Sequence, residues 1–154
     1  MPLAALYDWL LLGHILAAMV WLGGTVVLSA FATRTLRGDA GEIARFVGSL
    51  RIIGPIVLAP APILLIGLGS WLVADSTSWD FDQTWVQVAF GLFVLALLYG
   101  AALQSRAAIS AERAAKAGDA DTARRRLVRW MRGTRVILVL LVVATWDMVL
   151  KPGL

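Results

Sequence analysis

His14 is the only histidine in a chain of 154 residues, and it lies inside a long apolar run. An imidazole at that position can carry a proton, bind a ligand, or hydrogen-bond to a neighbouring helix. Ionisable groups are costly in hydrocarbon, so each one marks a functional site by default. By helical spacing Tyr7, Leu10, Ala17, Ala18, Trp21 and Thr25 share its face. The small Ala17 and Ala18 would let a flat ligand, or another helix, come close. Of the seven tryptophans, Trp21 alone falls at mid-membrane depth, on the His14 face. Asp147, near the far end of the chain, is the second candidate. It either pairs with Lys151 at i,i+4 spacing or meets His14 at similar depth, where a carboxylate would fix the imidazole tautomer. Gln87 falls at that depth too, and either joins this polar pocket or caps its own helix start.

Other chemistries are excluded by what the chain lacks. It has no cysteine, so thiolate metal sites and cysteine nucleophiles are absent. A single histidine rules out a metal site with two imidazoles from one chain. No Ser/His/Asp ordering, nucleotide loop or zinc motif is present, so no catalytic residue is assigned and enzymatic activity stays open.

The elements that must position these residues are membrane spans. The composition is 60% hydrophobic with mean hydropathy +0.80, well above a soluble domain's ~45–50% apolar content. Spans are expected over about 6–32, 52–74, 85–103 and 134–152, each near the ~20 residues a crossing helix needs. The runs are continuous and lack a period of two, which excludes barrel strands. No positive charge precedes the first run, and its apolar core exceeds the ~7–15 residues of a signal peptide. It therefore reads as a retained span although Ala30-Phe31-Ala32 imitates a cleavage site. The expected fold is all-α: a four-transmembrane-helix bundle forming one integral membrane domain over 1–154.

Charge sets the orientation. Of the 14 Lys and Arg, 13 lie in segments 34–51 and 106–135, whereas 75–84 carries three Asp and no base. By the positive-inside rule the basic segments are cytoplasmic and both termini lie outside. The net charge of +4 is thus a topology signal, and nucleic acid is not expected as a partner. Arg124-Arg125-Arg126 suits contact with anionic lipid.

Local signals add detail. Asp39-Ala40-Gly41-Glu42 fits a capping box at a helix start. Gly118-Asp119 reads as a helix stop followed by a new N-cap, so helices 3 and 4 should form a cytoplasmic helical hairpin extension. Pro55, Pro60 and Pro62 fall in the second span, and each removes an i→i−4 hydrogen bond. That span should bend or break between Pro55 and Pro62.

The stretch Leu12-Gly13-His14 through Trp21-Leu22-Gly23-Gly24, with Arg34 beyond it, resembles the first helix of a bacterial superfamily of small four-helix membrane proteins. That superfamily holds the copper-resistance-protein-D-like proteins, the HemJ-type protoporphyrinogen IX oxidases and a group of predicted integral membrane proteins. The ending Trp146-Asp147-Met148-Val149-Leu150-Lys151-Pro152-Gly153 is most similar to the last group. The resemblance implies a bundle in the bacterial inner membrane, a homo-oligomer, and His14 at the position proposed to ligate b-type heme in the oxidases. Ala32-Thr33-Arg34 stands where those oxidases carry a Pro-Arg-Leu block. One histidine and no cysteine argue against copper.

Three functions remain on these observations. The first is heme b binding or membrane redox chemistry through His14, with Trp21 beside it. The second is a small transporter or proton- or ion-handling protein using a His14/Asp147 pocket with Gln87. The third is a non-catalytic assembly partner working through the basic hairpin.

Overall fold

Apolar side chains at three- and four-residue spacing bury one stripe of each long helix. In the first helix that stripe is Leu10, His14, Ala17, Trp21, Thr25, Leu28 and Ala32. The computed structural model describes the backbone of residues 3–153 and the side chains of residues 6–153. Those residues form α1 (Leu3–Thr35), α2 (Ala40–Ile53), α3 (Pro60–Ala74), α4 (Thr84–Tyr99), α5 (Ser105–Lys116) and α6 (Ala120–Leu150). A π turn at Gly54–Leu58 joins α2 to α3, and another at Gly100–Gln104 joins α4 to α5. The result is four continuous helices long and apolar enough to cross a membrane: Leu6–Thr35, Ala40–Ala74, Thr84–Lys116 and Ala120–Leu150. At most 33% of each apolar window is buried inside the bundle, so the remaining apolar surface suits lipid rather than water.

The helices run past the apolar stretches that sequence delimits. Thirty-three residues of α1 reach about 50 Å, against ~30 Å of hydrocarbon. The surplus lies at the end of the bundle that carries the arginines, hereafter the basic end; the loop 75–83 marks the acidic end. Caps set the surplus. The Asp39 carboxylate accepts from Glu42 N–H at 2.8 Å, and Asp119 from Thr122 N–H at 2.9 Å. Gly118 takes the left-handed φ of 76° that ends α5 and that a side chain would disfavour. At the basic end Ile43 and Val47 of α2, Ala111 of α5 and Ala123 and Leu127 of α6 pack into one cluster. Alanine on both α5 and α6 allows their close approach.

The second span departs from regular α-helix where its prolines predict, although it stays continuous. Ala59 N–H bonds Gly54 C=O at 2.8 Å, an i→i+5 bond, because Pro55 and Pro60 lack the donors that would continue an α-helix. The π turn at Gly100 has no proline. It inserts an extra residue, so two helical turns beyond the buried Ala96 it is Gln104 that faces inward at 9% exposure, while Leu103 is 53% exposed.

Towards the acidic end contacts concentrate in two helix pairs, α1 with α3 and α4 with α6, while α3 meets α4 sparsely; at the basic end α5 packs on both α6 and α2. Two cavities lie in the seam between the pairs, one towards each end.

Candidate functional site

The acidic-end cavity has a volume of about 510 Å³ and is walled by α1, α3, α4 and α6. Its walls are almost wholly apolar and aromatic. His14 lines it, buried at 8% exposure. His14 Nδ1 lies 2.9 Å from the Leu65 carbonyl. A carbonyl oxygen only accepts, so Nδ1 carries a proton, and it is Nε2 that is left without one in the neutral tautomer. Nε2 has no hydrogen-bond partner among the described residues and is not sealed from the cavity. Gly69 makes this pose possible, since a Cβ there would stand 2.9 Å from His14 Cε1. The glycine one turn after Leu65 therefore clears the space into which the imidazole docks.

Trp21 forms the inner wall of this cavity. It is buried, and its ring lies 6.2 Å from that of Phe93 in a tilted pair. It lines the second cavity too. At the mouth Lys151 Nζ sits 3.6 Å from the centroid of Trp79, which packs edge-on against Trp85 at 5.3 Å. A cation over an indole face is held by the ring quadrupole. The mouth thus carries a positive charge above an aromatic floor. Met19 and Met148 supply thioether sulfur to the same walls.

The structure separates the other expected members of the polar pocket. Gln87 is exposed, and its Nε2 donates to Phe81 C=O at 3.2 Å in the loop before α4, so it bonds neither His14 nor a free N–H of its own helix start. Asp147 is 2% exposed, yet it makes no hydrogen bond to His14 and does not line the His14 cavity. Its Oδ2 is sealed without a partner among the described residues. It forms no ion pair with Lys151 either; the Lys151 backbone N–H caps the Asp147 carbonyl at 2.7 Å, and the ammonium turns to Trp79. No cluster of three His, Cys, Asp or Glu that could hold a metal exists among the described residues. Sequence reasoning missed the Leu65 carbonyl and Gly69. The one signal for them was a glycine at His14's depth in an adjacent span.

The basic-end cavity, about 630 Å³, is lined by both π turns. Gln104 Nε2 donates to Thr134 Oγ1 at 2.6 Å, and that hydroxyl donates to Trp130 C=O at 3.0 Å. Gly133 makes room for the amide, since a Cβ there would meet Gln104 Oε1 at 2.8 Å. Arg51 stands at the mouth.

Residues 8–152 match the family model described as predicted integral membrane protein (DUF2269). No curated protein and no solved structure matches the chain.

Proposed function

The chain belongs to this family of predicted integral membrane proteins, and we propose that it binds b-type heme in the acidic-end cavity, with His14 Nε2 as axial ligand. One observation carries the reading: Nδ1 is committed to Leu65 C=O, which leaves Nε2 bare in an apolar cavity of about 510 Å³. Histidines that ligate metals almost always donate their other ring N–H to a carbonyl or carboxylate, which sets the tautomer and raises basicity. The surroundings fit the group. Apolar and aromatic walls suit a macrocycle, and the Lys151 ammonium at the mouth suits its carboxylates. Met148, partly buried in the wall from α6, would be this chain's own candidate for a second ligand. Bound there, heme would supply one-electron chemistry inside the membrane.

In this reading the basic end faces the cytoplasm of a bacterium and the acidic end faces outward, with both termini outside, as the positive-inside rule supports. The exposed apolar faces also accommodate further copies in a homo-oligomer. The likeness of the His14 to Gly24 stretch to the HemJ-type oxidases supports the same ligand. The test is a visible spectrum of detergent-purified protein titrated with hemin. A Soret band that saturates with wild type and is lost in His14→Ala is the expected result. Wild type that takes up no heme, or a band unchanged in His14→Ala, overturns the reading.

A second reading, proton handling, rests on Asp147, whose sealed and unpartnered Oδ2 is expensive to keep unless it serves. Proton flux into liposomes carrying the protein would then fall in Asp147→Asn. Equal flux in wild type and variant removes it.

A further inference from the structure

We propose that the basic-end cavity binds one anionic phospholipid, its phosphate on Arg51 and one acyl chain running towards Trp21. The cavity is polar at one end only. Arg51, Gln104 and Ser105 line the basic end and Trp21 closes the other; between them lie apolar side chains and two threonines whose hydroxyls donate to their own helices, Thr25 to Trp21 C=O and Thr134 to Trp130 C=O. That polarity is an amphiphile's, with the head at the interface and the tail at mid-membrane depth.

Charge selects the head. Arg51 and Lys116 share a single carboxylate, Glu112. Lys116 Nζ holds it at 2.8 Å, whereas Arg51 Nη1 reaches it only at 3.5 Å. One carboxylate facing two cations leaves a net positive charge, and the loosely held guanidinium keeps donors for a phosphate, which it binds bidentately. A zwitterionic head would bring its ammonium beside these two cations. A quinone head has no charge to offer them.

The backbone agrees. Pro55 removes the donor that would normally reach the Arg51 carbonyl, four residues earlier. Such irregular backbone is tolerated at membrane depth only in protein or beside a polar cavity. Phosphatidylglycerol, anionic and without an ammonium, is the probe for this class of head. Both π turns border the space, as π turns often do at functional sites.

Native mass spectrometry of the full chain, released from nanodiscs of equimolar phosphatidylglycerol and phosphatidylethanolamine, tests this. Wild type should retain one phosphatidylglycerol per chain in preference to phosphatidylethanolamine. Arg51→Gln should weaken retention about fivefold, the effect of ~1 kcal/mol for one lipid-facing cation. Ala101→Phe, at an exposed position that lines the cavity, should abolish it by blocking the chain. Arg129→Gln, exposed and outside the cavity, should leave it unchanged. Equal retention of the two lipids by wild type overturns the proposal without any variant. So does Arg129→Gln weakening retention as much as Arg51→Gln, Ala101→Phe keeping its lipid, or added ubiquinone displacing it. Unchanged helix content by circular dichroism separates lost binding from lost folding.

Discussion

The two cavities share Trp21 as a wall and solve the same difficulty in opposite ways. Each must hold a polar side chain at membrane depth. At the acidic end α1 and α3 stay regular, a side chain is removed at Gly69, and His14 docks on a backbone carbonyl. At the basic end the helices are irregular on both sides, and two side chains, Gln104 and Thr134, satisfy each other. A polar group in lipid can therefore be accommodated by subtracting a side chain or by inserting a residue in a helical turn. The first leaves a bare nitrogen in an apolar cavity. The second leaves a paired amide and hydroxyl in a cavity with a cation at its mouth. The two sites should accordingly respond to different changes.

The largest effect is expected where they meet. Trp21→Ala removes the common wall and should lower stability by about 3 kcal/mol, the low end for a buried aromatic truncated to alanine, because the cavity remains while lipid replaces water as the reference. Reversible unfolding in mixed micelles measures it. It should disturb both heme uptake and lipid retention, and a variant that disturbs one alone would show that the cavities do not share a working wall.

Gly69→Ala should act on the acidic end alone. Its methyl group displaces the imidazole and breaks the bond to Leu65, at about 1–3 kcal/mol for a buried donor left unpaired. Better helix propensity returns about 1 kcal/mol. Hemin affinity should fall at least tenfold with lipid retention unchanged, whereas Gly67→Ala, where a Cβ meets nothing within 4 Å, should leave both as they are.

Gly133→Ala is the mirror test. It presses on Gln104 Oε1 and Cδ and on Tyr99, all side-chain atoms that can yield. The loss of about 1 kcal/mol from the Gln104–Thr134 bond should largely cancel against helix propensity. Lipid retention should drop while the Soret band stays. A shift of that band would mean that the two ends communicate through the bundle.

The smallest effect is at the tip of the basic end and depends on pH. Bonds from Thr122, side chain first and then backbone, hold the Asp119 carboxyl below the usual carboxylate range, with Arg125 adding to them. A depressed folded-state pKa means that the cap stabilises α6 fully above the unfolded-state value, about pH 4, and is lost as pH falls through the lower folded-state value. Protection against hydrogen exchange near Thr122, relative to the unfolded chain at the same pH, should fall below about pH 4 in wild type and stay flat with pH in Asp119→Asn. Acid that loosens the His14 cavity before the tip would reverse the ordering.

What sequence alone determined is what short stretches of chain determine. Four spans follow from the length and continuity of apolar runs. The caps at Asp39 and Asp119, the stop at Gly118 and the irregular turn at Pro55 follow from chemistry within one turn of backbone. His14 was legible as an inward-facing residue because an imidazole is costly against acyl chains, whereas the apolar residues on every side of α1 mark no face. Its partner was not legible. An inward face fixes neither a helix's height nor its rotation against the neighbour, so the same sequence allowed His14 to meet Asp147, Gln87 or a carbonyl. Tertiary packing chose the Leu65 carbonyl, turned Gln87 outward onto Phe81 and left Asp147 sealed and unpartnered. It also produced the π turn at Gly100, which no proline announces, and with it the inward register of Gln104. Both cavities belong to this second class, because a void between two helix pairs is a property of how the pairs splay, and no single helix encodes that.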